Sequence, residues 1–569
     1  MAMSQRTSDP RLSQMSATRS SVTSATGVVS AGSAHAVSAG LDALERGGNA
    51  IDATVAAAFV SFVAEPNNAG IAGYGHLAAF TGGTFVTVDH GPRAPLAATP
   101  DMFTTVGPEP EGYDWPEVAG DANALGHLAP AVPGAVAGLY AIHARAGRLP
   151  WASLLDAAIA LADEGVEVTW NLLLLIAAHL DEIRVRPALA AILLPEGRLP
   201  RARTEDDPGE RLHQRELAAT LRRVAEHGPD GFYRGPVAEA IAAEIAAGGG
   251  ILTAGDLETY APKLLLEQPT RFRDVELITA NDQVGTEALN ILDCFPAPPP
   301  GQAQHLHLLA EAMGHAFVDN VTYAGDPDHV AAPLAGLASP AFARLRASGI
   351  APDAASPRPL ATADPWPFED GEPRGTPPPS TGGARGTTQV VAADADGNLV
   401  ALITTIGDDF GSKVAVPGTG VLLNNSMMNY DPRPGRANSI APGKMPFFAV
   451  PAIVAAREGR GVFAAAGSGG YPILAGVVNT TVNHVGHGMG VQEAIDAPRV
   501  HSQGAETYID SRVPASVRAE LEAMGHTLVA QDVTPGELPF SRVSAVAVAA
   551  DGTMTAGSGP AWTTAAGGL

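Results

Sequence analysis

An α+β fold is expected, on three observations: helices apolar on nearly every face, strands paired around tight turns, and a Pro/Gly-rich break between two regions of different character. The first is clearest in NAIDATVAAAFVSFVAE, residues 49–65, with Asn49 standing where an N-cap belongs. Before it, HAVSAGLDALERGG (35–48) reads as an amphipathic helix stopped by Gly47 and Gly48. A Gly-rich turn, NNAGIAGYGHL (67–77), leads to the strand TFVTVDH (84–90). Residues 134–260 are mostly helical, as in WASLLDAAIALADEGV (151–166) and GPVAEAIAAEIAAGG (235–249). The second observation is TTQVVAADADGNLVALITT (387–405), a strand, a DADGN turn and a second strand. GTGVLLNN (418–425) and GVFAAAGSGG (461–470) add strands, and SAVAVAADGTMTAGS (544–558) a hairpin turning at Asp551-Gly552. Between the two regions, residues 351–386 are crowded with Pro, Gly and Asp and read as an exposed linker.

Composition narrows the function classes. Of the 569 residues, 46% are hydrophobic and 17% charged, which suits a large buried core. Aromatics make up only 5%, unlike a base-stacking surface. Lys plus Arg number 35 against 60 Asp plus Glu, a net charge of −25, so nucleic acid and anionic membrane are poor partners. The single cysteine, Cys294, lies in the apolar run ALNILDCF and is expected to be a buried structural thiol. Residues 1–27 are polar and Ser/Thr-rich, without the apolar core of a secretory signal, and are expected to form a disordered arm. No run of 18 apolar residues occurs. A cytoplasmic enzyme acting on a small molecule is the expectation.

Arg385-Gly386-Thr387-Thr388 joins the linker to a buried strand. A threonine hydroxyl is a weak nucleophile unless a base takes its proton; at a chain terminus its own α-amine, with a pKa of about 7.7–8.0, can do so. Cleavage before Thr387 would make such a terminus. Gly386 removes bulk beside that bond, and the linker lets its carbonyl approach the hydroxyl. These four residues alone describe an ordinary strand start more readily than a cleavage site.

The segments around them resemble the γ-glutamyltransferase (γ-glutamyltranspeptidase) family. After Thr387 the carrying segments are TTQVVAADADGNLVALITT, FGSKVAVPGTGVLLNN, APGKMPFFAVPAIV, AAGSGGYPI and EAIDAPRVH. Before it they are ALERGGNAIDATVAAAF, PDMF, GHLAPAVPGAVAGLYAIHARAGRLP, GFYRGPVAEAIAAEIAAGGGILTAGDLETY and AEAMGHAFVDNVTYAGDPD, all in the family's order over residues 28–558. The resemblance implies the four-layer αββα sandwich of N-terminal-nucleophile hydrolases. It implies self-cleavage into a large subunit, 28–386 behind the arm, and a small subunit, 387–569, both from one precursor. A homodimer of such heterodimers is compatible with the sequence. No metal or organic cofactor is implied. Thr387 matches the family's nucleophile, and Thr405 the second threonine that supports its amine and hydroxyl. Gly469 and Gly470 match the glycines whose N–H groups hold the oxyanion, where one fixed donor is worth about 2.7–4 kcal/mol.

The chain departs from the family where the donor's amino-acid head is read. The carboxylate-binding Arg falls on Gly91, with Arg93 two residues later, and the paired serines fall on Phe447 and Phe448. On the amine side Asn falls on Gly407, Gln or Glu on Ser426, and Asp on Asn429. A site that has lost matched polar groups rejects the ligand that needs them. Ordinary γ-glutamyl transfer is therefore not expected. The sequence points to hydrolysis of another amide, with C–C bond cleavage in specialised metabolism, a conventional γ-glutamyltransferase and an uncut binding protein as alternatives. The segment between Tyr430 and Pro442, where the family has a lid, is short, and residues 281–288 replace its PPPSSGG. Asp408 and Asp409 read either as partners for a cationic group or as a solvated turn. His76 and His90 lie near the expected pocket rim. His305, His307 and His315 lack metal-ligand spacing, so zinc is not expected.

Overall fold

The structure is a computed structural model that describes residues 19–108, 115–280, 282–369, 386–533, 539–560 and 562–569. Two seven-stranded sheets stack face to face. One runs Val22–Ser24, Met554–Ser558, Arg542–Val548, Arg460–Ser468, Ile453–Arg457, Val275–Thr279, Thr270–Phe272. The other runs Ala565–Gly568, Gly27–Ala31, Gly386–Asp394, Leu399–Gly407, Tyr74–Thr81, Thr84–His90, Lys263–Leu266. Every neighbouring pair in both is antiparallel.

Strand alternation sorts the core into layers. In Gly386–Asp394, Val391 and Ala393 turn toward the other sheet and its helices, while Val390 and Ala392 pack outward. The outward face is covered by helices Ala34–Glu45 and Ala50–Ala64; the second is buried along its length and capped by Asn49. Helices Gln283–Asp293, Ala303–Tyr323 and Pro472–Thr481 cover the far side of the first sheet. The result is the αββα sandwich of N-terminal-nucleophile hydrolases, as the resemblance implied.

Four expectations are corrected. The arm does not run to residue 27: Val22 pairs with Ala556 and extends the first sheet; residues 1–18 lie outside the described residues. The linker reading fails for residues 351–369, because apolar and charged anchors seat them: Leu360 and Trp366 are buried, and Arg358 pairs with buried Glu311 at 2.5 Å. Residues 370–385 lie outside the described residues. Only Val421–Leu422 of GTGVLLNN is a strand, because Gly418 and Gly420 adopt positive φ and interrupt it. Cys294 is exposed rather than buried: it caps the C-terminus of Gln283–Asp293, past the helix's buried face.

Candidate active site

A β-bulge builds the centre. Gly386 pairs with Gly407 and Thr388 with Thr404, so two steps on one strand span three on the other. Buried Thr387 and Thr405 then face one cavity in the cleft between the sheets. The Thr387 hydroxyl donates to the Gly386 carbonyl at 2.6 Å, and the Thr405 hydroxyl donates to the same oxygen. Thr405 Oγ1 also accepts from the Gly407 N–H at 2.8 Å.

That cavity, of about 470 Å³, is lined by Tyr74, His76, Ile403, Asn429, Phe448, Ala449, Val450, Gly470 and Tyr471 beside the two threonines. No Asp, Glu, Lys or Arg is among its described lining residues. His76 is held neutral by burial, which lowers its pKa, and its Nε2–H donates to the Val450 carbonyl at 2.7 Å. Phe448 stacks on Tyr74 with centroids 5.6 Å apart. Asn429 is 1% exposed; its amide N–H₂ donates to the Tyr74 hydroxyl at 2.9 Å and to Ser426 Oγ at 3.1 Å, while its Oδ1 has no partner among the described residues. Gly469 and Gly470, at φ 124° and 77°, follow the strand Arg460–Ser468; side chains rarely adopt such angles, and Gly470 reaches the cavity.

The other expected residues do not line it. Arg93 pairs with Asp326 at 3.4 Å and lies 4.0 Å from Asp89. Both acids line a second cavity, of about 460 Å³, with Gly91, Met445 and Phe447; His76 and Phe448 border both cavities. At Gly91 a Cβ would meet Met445 Sδ at 2.5 Å. Gly407, at φ 99°, leaves no room for a side chain, since a Cβ would lie 1.8 Å from Asn425 Oδ1. Asp408 takes Asn425 Oδ1 on its N–H at 3.0 Å, and Asp409 faces His179 at 3.5 Å. The short segment after Tyr430 is tied down: Arg433 pairs with Asp431 at 2.9 Å, and the Asn438 amide donates to the Asn429 carbonyl at 2.7 Å. His90 is buried, its pKa pushed down to about 3 by desolvation and by nearby His76.

Sequence reasoning missed Tyr74, Tyr471, Glu65 and Arg542. Buried Glu65, which ends the apolar helix, accepts the Thr388 hydroxyl at 3.0 Å. Arg542, 2% exposed, donates to the Thr387 carbonyl at 2.8 Å. A lone carboxylate closing an apolar helix and a lone Arg opening the apolar run RVSAVAV were the available signals.

Contrary to the spacing argument, His307 comes together with Glu311 and His526, their ligand atoms within 4.8 Å of one another. Their hydrogen bonds close on themselves. His307 Nε2–H faces the Ala351 carbonyl at 2.8 Å, so its Nδ1 accepts from His526 Nε2–H at 2.8 Å; His526 Nδ1 accepts from Thr507 at 3.1 Å. Glu311 is already neutralised by Arg358. The cluster is a compensated polar network in the helical layer, distant in the fold from the sheet cleft.

Comparison with known proteins agrees with the fold. The gamma-glutamyltranspeptidase family model matches residues 36–568. The chain is 36% identical over 557 residues to the acylase ACY 1 proenzyme of Pseudomonas sp. (strain V22), covering 96% of this chain and 94% of that protein. It is 33% identical over 489 residues to a glutathione hydrolase proenzyme of Pseudomonas sp. (strain A14), covering 82% and 79%. The solved cephalosporin acylase from Bacillus halodurans superposes with a TM-score of 0.85 at 26% identity, covering 99% of both chains. Nearly the whole chain thus aligns with proenzymes named acylase and glutathione hydrolase, and it belongs to the gamma-glutamyltranspeptidase family.

Proposed function

We propose that this chain cuts itself between Gly386 and Thr387 and then works as an amide acylase, with Thr387 as nucleophile and an acyl group that lacks the γ-glutamyl head. One observation carries the reading: two threonine hydroxyls meet at the Gly386 carbonyl inside a cavity whose described walls carry no formal charge. In the uncut chain Thr387 Oγ1 attacks the Gly386 carbonyl carbon while the Thr405 hydroxyl stabilises its oxygen. The C–N bond breaks, the nitrogen takes up a proton, and an ester joins Gly386 to Oγ1. Water hydrolyses that ester and frees both the hydroxyl and the amine.

The same parts serve turnover. The amine takes the Oγ1 proton as Oγ1 attacks a substrate carbonyl, and the backbone N–H groups at Gly469 and Gly470 receive the oxyanion. The leaving amine departs with that proton, and water releases the acid. A γ-glutamyl head carries an ammonium and a carboxylate, and stripping either of water without a counter-charge is costly. Tyr74, Phe448, Val450 and Ile403 offer none. The unpartnered Asn429 Oδ1 suits an acyl group that is mostly apolar and bears one neutral donor. Similarity to an acylase proenzyme and a cephalosporin acylase supports this reading.

The test is N-terminal sequencing of the small chain, then a side-by-side assay of γ-glutamyl-anilide against glutaryl, oxamoyl and uncharged acyl anilides. A small chain beginning at Thr387, with an uncharged acyl anilide turned over fastest, is expected. If γ-glutamyl-anilide is best, above about 10⁴ M⁻¹s⁻¹, the pocket argument fails.

A further inference from the structure

Arg542 is a buried cation in an otherwise apolar strand, and the reaction scheme above gives it no task. Its backbone pairs with Ser468, the residue before Gly469, so it belongs to the sheet that carries the oxyanion glycines. Its side chain crosses the cleft and donates to the carbonyl of Thr387 in the other sheet, at 2.8 Å. The guanidinium lies 4.1 Å from the centre of the Trp562 ring, which closes its other face. Among the described residues its Nε has no hydrogen-bond partner, and neither does Glu65 Oε1 nearby. A structural arginine buried to this degree would ordinarily be saturated with acceptors. This one spends a donor on the backbone of the nucleophile itself.

We infer that Arg542 is a positioning residue of the acyl-transfer centre: it ties the nucleophile strand to the oxyanion strand, and its charge keeps the new terminal amine of Thr387 neutral. The inference rests on Thr387 being the nucleophile. Covalent geometry puts the guanidinium within about 6 Å of the Thr387 nitrogen. A unit charge there, at an effective dielectric near 20, lowers an amine pKa by about two units. The groups facing this end of the strand are few. Glu65 lies behind Thr388, Asp408 and Asp409 follow Leu399–Gly407, and Tyr74 and His76 line the cavity. Asp409 is engaged with His179. Burial pushes the Glu65 carboxyl up, so it offsets only part of the arginine's charge. With Glu65 and Asp409 offsetting part of it, the arginine's charge still lowers the amine below its free range of about 7.7–8.0.

The amine can be titrated without any substrate. Competitive acetylation with acetic anhydride across pH 5–10, read by mass spectrometry of the small chain's N-terminal peptide, gives the Thr387 α-amine pKa in wild type, Arg542→Lys and Arg542→Gln. Lysine keeps the charge; glutamine keeps a donor without it. The lysine variant is expected within about 0.3 units of wild type, and the glutamine variant about one unit higher. An unmoved glutamine variant, equal rises in both, or a folded glutamine variant that never cuts itself would each overturn the inference. A wild-type chain that is uncut, or a Thr387→Ala chain that still cuts there, would instead remove the nucleophile reading on which it rests.

Discussion

Two cavities of nearly equal size meet at Phe448 and His76, and they differ in kind. The one holding Thr387 has apolar and neutral walls. The one beyond Phe448 has Asp89 and Asp326 in its wall, held by Arg93. Charge is therefore present one side chain away from the nucleophile's cavity, but it is spent on an internal ion pair. Under the proposed function, the comparison assigns refusal of the amino-acid head group to what stands between the cavities as well as to which residues were lost. Phe448, stacked on Tyr74, is that partition.

The comparison can be broken or sharpened by four substitutions. Thr387→Ala should leave a single uncut band on a denaturing gel and lower turnover by roughly 10⁴–10⁶-fold, as loss of a nucleophile does elsewhere; retained processing would remove the first cavity's role. Arg93→Met should act on the second cavity through stability alone. It takes the arginine from the fully buried Asp326 carboxylate, which keeps His329 and the Met445 N–H, and should cost about 1–3 kcal/mol in denaturant unfolding, with kcat of the folded fraction unchanged. A selective loss of kcat there would mean that the charged cavity takes part in turnover. Asn429→Asp places an acid in the apolar cavity beside the Tyr74 hydroxyl. The ratio of kcat/KM for γ-glutamyl-anilide over an uncharged acyl anilide should rise about tenfold, since one charged contact is worth about 1.5–3 kcal/mol and no carboxylate partner accompanies it. Phe448→Leu should change least, lowering kcat/KM for an aromatic acyl anilide about threefold through loss of one ring pair. A tenfold gain for γ-glutamyl-anilide in that variant would show that the partition alone excludes the head group.

The sequence made the fold legible where local signals agree with it. Asn49 caps an apolar helix, and Asp551-Gly552 turns a hairpin whose Gly552 has φ 88°. That Thr387, Thr405 and Gly470 share one cavity was legible because each stands in a motif. The rest depends on distance in sequence. Arg542 meets Thr387 across 155 residues, and Asn429 meets Tyr74 across 355, so no local pattern announces either. Arg93 and Phe447 were assigned to the Thr387 pocket by alignment with a motif, yet ion pairing and sheet geometry put both on the other side of Phe448. Leu360 and Trp366 show the opposite limit: a Pro-rich composition concealed two apolar anchors.

If the chain is cut before Thr387 as proposed, the order of strands has a consequence for the life of the two pieces. In each sheet, strands from before and after Gly386 are interleaved: Gly27–Ala31 lies between Ala565–Gly568 and Gly386–Asp394, and Val22–Ser24 borders Met554–Ser558. A single cut therefore liberates nothing. The two pieces share one core, so they should melt in one transition and stay together on dilution. Once unfolded, they would have to find each other as separate molecules, and recovery would then depend on concentration. Scission in such a fold works as a one-way latch: the chain that folded as one molecule is stable as two, but its refolding is no longer unimolecular.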